Sequence, residues 1–150
     1  MGENQQRAEM KQLRVDWSEL ADAFEDDSRE HRYYLDRDTG EVHFFSTYLE
    51  NEEEQEDEQR LTAEDRYVVI PLSRRLVPVR DIHQFVGTLE GRDRKLLSSS
   101  LEEQEARARF DDTLDNLPET REKWSRFKQQ VVERRILDWL GEVGVQPLNE

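Results

Sequence analysis

With 150 residues and no cysteine, the chain has the size of one domain and cannot form disulfides, thiolate metal sites or a cysteine nucleophile. A net charge of −14, with 39% of residues charged, repels polyanions and disfavours generic DNA or RNA binding. No apolar run approaches the ~18 residues needed to span a bilayer, and the polar stretch after Met1 lacks a signal-peptide core, so a cytoplasmic location with no membrane contact is expected.

Residues 1–14 read as a flexible polar lead to a single domain over 15–147. In VDWSELADAFEDD, Trp17, Leu20 and Phe24 recur on one helical face, and Asp16 and Glu19 have capping-box spacing. This predicts a helix over about 17–26. HRYYLDRDTGEVHFFSTYL places two Tyr/Phe/Val-rich runs, about 31–36 and 41–48, either side of a short turn ending in Gly40, a β-hairpin pattern. ENEEEQEDEQ, residues 50–59, holds seven acids and no base. With its flanks to about 64 it reads as a long solvated loop.

RYVVIPL supplies a third strand, ended or kept to an edge by Pro71, and three strands in succession predict an antiparallel meander. Ile82, Phe85, Val86 and Leu89 then form a helical stripe after Asp81 that stops at Gly91. Leu96, Leu97 and Leu101 run into a helix holding Phe110, Leu114 and Leu117. Pro118 can open the last helix, which reaches about 141 before Gly144 as a left-handed cap. That helix carries Trp124, Phe127, Val131, Val132, Ile136, Trp139, Leu140 and Val143 around more than half its circumference, so it belongs in a core or an interface. The expected class is α+β: an N-terminal helix, a three-stranded antiparallel meander, then three C-terminal helices including a helical hairpin.

Chemistry-bearing patterns are weak. Asp36-Arg37-Asp38-Thr39-Gly40 could be a phosphotransfer-type aspartate pair, but a second strand follows at once, and turn chemistry explains it better. As an EF-hand it has its glycine one position early. His31 and His43 could approach one another across the hairpin, with Asp36 or Glu41 as distant candidates for further zinc ligands. His83 falls at the margin of a helical stripe. Leu97-Ser98-Ser99-Ser100-Leu101 lacks the glycines of a nucleophile elbow. Asp111, Asp112, Asp115 and Glu119 could line a metal face, yet Pro118 interrupts it and Arg107, Arg109 and Arg121 are placed to pair with them. No cofactor and no metal site is expected.

The series VDWSELADAFED, YYLDRDTGEV, YVVIPL, RFDDTLDNLPETREKWSRFK and DWLGEVGVQP, over about residues 14–147, resembles the bacterial uncharacterised protein family 0158. The resemblance implies the fold and a set of motif positions, Trp17, Asp36, Gly40, Arg109, Phe110, Trp124, Phe127, Trp139 and Leu140, with no established activity. Most of these are apolar, a composition of packing more than of chemistry.

The functional reading favoured is a small non-enzymatic module that binds another protein through Arg109, Trp124, Phe127 and Trp139. A second copy is one candidate for that protein, giving a homodimer. The alternative is a nucleic-acid-associated regulator using Arg126, Lys128, Arg134 and Arg135, since residues 121–135 hold six Lys/Arg against two acids. A hydrolase or nuclease ranks third, because it needs carboxylates converging on His31 or His43.

Overall fold

The computed structural model describes residues 10–49, 51–75, 77–102 and 104–149. In chain order the described elements are β1 (Lys11–Leu13), α1 (Trp17–Glu25), β2 (His31–Asp36), β3 (Val42–Ser46), α2 (Glu52–Thr62), β4 (Tyr67–Val69), α3 (Val79–Gly87), α4 (Gly91–Glu102), α5 (Ala106–Asp115), α6 (Pro118–Glu142) and β5 (Val145–Pro147), with 3-10 turns at Thr47–Leu49 and Leu72–Arg74. The class is α+β. None of the described helices is long and apolar enough to cross a membrane. The described residues cluster into two compact units. One holds residues 10–75 with 133–149; the other holds 77–132.

In the first unit, β2 is the central strand of a three-stranded antiparallel sheet ordered β3-β2-β4. The predicted meander is therefore corrected: β4 pairs with the first hairpin strand, Leu35 opposite Val68, on the side away from β3. In the hairpin, His31 lies opposite Ser46 and Tyr34 opposite His43. Helix α1 starts where the capping spacing puts it, with the Asp16 side chain accepting from the Glu19 N–H at 3.0 Å. It buries Leu20, Ala23 and Phe24, and Phe24 meets the Trp139 ring edge-on at 5.8 Å. Part of the polar lead is also structured. Lys11–Leu13 pairs in parallel with Val145–Pro147, and residues 1–9 lie outside the described part.

The acidic run is a second correction. Residues 52–62 form α2 instead of a solvated loop. Asn51 caps it by accepting from the Glu54 N–H at 2.8 Å, and Glu52, Glu53 and Glu54 in the first turn suit the helix dipole. One acid turns inward: Glu58 accepts from Arg32 Nε at 2.6 Å, Arg32 Nη2 at 2.9 Å and the Tyr34 hydroxyl at 2.9 Å. With Leu61 buried three residues on, this docks the helix, while Glu52, Glu53, Glu56 and Asp57 stay exposed.

The second unit holds α3, α4, α5 and the first part of α6. The continuous helix expected over 96–117 is broken. Glu105 takes a left-handed conformation, φ 58°, between α4 and α5, so among the described residues four helices follow β4 instead of three. Pro118 opens α6 as expected. Trp124 sits among Phe85 (5.1 Å), Phe110 (5.1 Å, edge-on) and Phe127 (5.9 Å), so the hairpin of α5 and α6 closes on aromatic packing worth about 0.5–1.5 kcal/mol per ring pair beyond area burial.

Candidate functional site

The hairpin turn is a charged lock. Asp36 is buried at the end of β2 and accepts from Arg66 Nη2 at 2.7 Å, Arg66 Nε at 3.2 Å and the Asp38 N–H at 2.8 Å. Burial alone would raise its carboxyl; Arg66, the Asp38 N–H and the Thr39 hydroxyl more than reverse this and hold it at about 2. Asp36, Glu41 and His43 place ligand-type atoms within 4.8 Å of one another. The Arg66 guanidinium already engages both Asp36 oxygens, and its charge opposes a cation there, which favours the turn reading of this motif.

A carboxylate whose folded value lies below its unfolded one near 3.8 stabilises the fold above pH ~4, and that contribution is lost as pH falls through about 2. Asp36→Asn is thus expected to lose about 2 kcal/mol at pH 7, with the gap to wild type closing between pH ~4 and ~2. Urea titrations across that range check it; a gap independent of pH would contradict it.

A second polar cluster surrounds Asp26. Its Oδ2 accepts from the Tyr33 hydroxyl at 2.5 Å and lies 2.6 Å from His31 Nδ1, and Oδ1 accepts from the Ser28 N–H at 2.9 Å. Burial works against the Asp26 anion, but these contacts leave its carboxyl below the ordinary value. Burial and the same hydrogen bond push the Tyr33 hydroxyl up. Arg75 stacks over the Tyr33 ring at 5.4 Å and donates to the Ser28 carbonyl at 3.3 Å. Phe44 meets His31 edge-on at 5.1 Å.

His31 and His43, which could have met across the hairpin, do not. With His31 opposite Ser46 and Tyr34 opposite His43, the two histidines have opposite parity and point to opposite faces of the sheet. His43 packs on Tyr67 instead. His83 is exposed on α3. Asp115 pairs with Arg121 at 3.7 Å, and burial, the largest influence on Asp111, raises its carboxyl.

Of the residues expected to bind a partner, Trp124 and Trp139 are inside, 8% and 2% exposed. Phe127 is half-buried in the ring cluster. Arg109 is exposed on a polar concavity of about 360 Å³ shared with Leu96, Ser99, Asp112 and Thr113. The four cations of the nucleic-acid alternative are unequal. Arg126 pairs with Glu122 at 2.9 Å. Arg135 donates to the carbonyls of Ser73 and Arg74. Lys128 acts on the Asp111 carboxyl, and Arg134 is exposed.

What sequence reasoning missed is an apolar concavity of about 670 Å³ lined by Trp17, Glu133, Leu137, Gln146, Pro147 and Asn149. Gln146 and Pro147 of β5 contribute to its lining. The Trp17 indole N–H donates to the Asn149 carbonyl at 3.0 Å, and the Asn149 side chain bridges the Val15 N–H and C=O at 2.9 and 2.7 Å. Leu137 is 48% exposed on its wall and Leu148, beside it in sequence to Pro147, is 60% exposed. The available signal was Leu137 itself, an apolar residue of α6 outside the buried set.

Comparison with known proteins adds the relationship. The pattern of the uncharacterised protein family UPF0158 matches residues 10–150. No curated protein and no solved structure matches the chain. A match of this extent, over β1 through β5, establishes that the chain belongs to the uncharacterised protein family UPF0158.

Proposed function

We propose that the chain is a small cytoplasmic, non-enzymatic interaction module that binds a short segment of another protein in the concavity of Trp17, Leu137 and Pro147. One observation carries this reading: a chain with only 34% hydrophobic residues leaves Leu137 half exposed beside an indole in a concave, mainly apolar site. Concave apolar surface with a few oriented polar groups is where ligand segments bind. Glu133 on the wall and a net charge of −14 select a segment with an apolar anchor and basic neighbours.

The enzyme reading draws less support, because the two sheet histidines face apart and Asp36 is tied to Arg66. The nucleic-acid reading draws less as well, since Arg126 is ion-paired and Arg135 binds backbone carbonyls within the chain.

Panning a random peptide library against the protein, followed by calorimetry, tests the proposal. Enriched peptides are expected to carry an aromatic or aliphatic residue flanked by Lys or Arg, with affinities on the order of 10 µM. Leu137→Asp is expected to weaken them at least tenfold while leaving the urea midpoint nearly unchanged. Equal binding by Leu137→Asp would overturn the site.

A further inference from the structure

Among the described residues the outer edge of β3 has no strand partner. Asp36 N–H donates to the Glu41 carbonyl and Thr47 N–H to the Glu30 carbonyl, at 2.8 and 2.9 Å. In antiparallel alternation residues 41, 43, 45 and 47 therefore turn their backbone groups toward β2, and 42, 44 and 46 turn theirs outward. No strand among the described residues lies beyond β3. Ser46 is buried, but Val42 is half-buried and Phe44 is 45% exposed.

Edges of this kind are normally blunted by lysine, proline, a bulge or inward charge. Val42-His43-Phe44-Phe45-Ser46 has no lysine, proline or acid and pairs with β2 without a bulge. The opposite edge, β4, is only three residues long and is followed by Pro71 after one residue. Strand β5 ends on Pro147.

We propose that two copies of this chain pair antiparallel along β3, with Val42 of each opposite Phe44 of the other and the two His43 residues at the two-fold axis. This register uses the outward backbone groups of the two accessible residues and leaves those of buried Ser46 aside, giving four N–H···O bonds. It sets an aromatic against a β-branched side chain on one face, a favourable cross-strand pair, and covers the exposed Phe44 ring. No carboxylates oppose one another, because Glu41 of each copy falls opposite Phe45 of the other. The ladder is short, so the dimer is weak and concentration-dependent. It is independent of the Leu137 concavity, and Leu137→Asp leaves it intact.

Light scattering on the whole chain from ~10 to ~500 µM tests this, and the mass is expected to climb from monomer toward dimer. Phe44→Lys is expected to hold the protein monomeric. So is Phe44→Pro, which removes an outward N–H that β2 does not use; circular dichroism confirms that each variant is folded. In this cysteine-free chain, His43→Cys is expected to cross-link rapidly under mild oxidation. Residues facing across a non-hydrogen-bonded pair are about 4.5 Å apart at Cα, within disulfide range, whereas Tyr48→Cys, largely exposed in the following turn, is expected to remain monomeric. A strict monomer at ~500 µM, a dimer that survives both folded Phe44 variants, or equal cross-linking by Tyr48→Cys would each overturn the proposal. Capture of the β3 edge by an unrelated extended peptide, with no self-association, would overturn it in favour of a foreign strand.

Discussion

Gly40→Ala is expected to cost about 4 kcal/mol or more, a large share of the about 5–15 kcal/mol that holds a typical domain folded. Two independent causes combine. Gly40 has φ +81°, a left-handed conformation that disfavours any side chain, and an added Cβ would lie 2.1 Å from the Arg14 carbonyl oxygen and 3.2 Å from its carbon. The first cause costs about 1–2 kcal/mol. The second cannot be relieved by rotating a side chain, because the atoms it meets are backbone of the segment between β1 and α1. The hairpin turn therefore doubles as the seat for that segment. Circular dichroism and urea titration check it; a stable Gly40→Ala protein with an unchanged midpoint would refute the close approach.

Trp139→Ala is expected to lower stability by about 3–5 kcal/mol, the usual effect of removing a buried aromatic, and to shift the urea midpoint by roughly 2 M. The indole is 2% exposed and packs edge-on against Phe24. The same substitution separates the two roles a tryptophan in this motif can play. A large loss of stability identifies a packing residue. An unchanged midpoint with lost peptide binding would identify a contact residue and contradict the burial. Leu137→Asp, two positions away on the same helix, is expected to show the reverse pattern.

What the sequence disclosed follows the range of the interactions involved. Helix α1 and the β2–β3 hairpin were legible because their signals are local: the Asp16 cap, the Trp17/Leu20/Phe24 stripe and a glycine in the left-handed position. The side on which β4 pairs was not, since Val68 suits either neighbour and the choice rests on distant contacts such as Arg66 with Asp36. Helix α2 was hidden for a similar reason. Ten residues with seven acids read as solvent-seeking until Glu58 is seen accepting from Arg32 and Tyr34, more than 20 residues earlier in the chain. The break at Glu105 carries no glycine or proline, so no local signal marked it. Strand β1 gave only Lys-Gln-Leu and gains its structure from residues 145–147.

The candidate site was legible only in part. The motif positions Trp17, Trp124 and Trp139 were identified, but sequence cannot sort buried aromatics from exposed ones on a helix that is apolar over most of its surface. The structure does so, putting Trp124 and Trp139 inside and leaving Trp17 beside Leu137. Whether the hairpin histidines meet is decided by register parity, a property that a one-residue shift would reverse.

The most direct test of the account maps amide chemical shifts while a library-selected basic–apolar peptide is titrated into the protein. The perturbed amides are expected to cluster at Trp17, Leu137, Gln146 and Asn149. Perturbations centred instead on Asp26, His31 and Tyr33, or on Arg126 and Lys128, would contradict it.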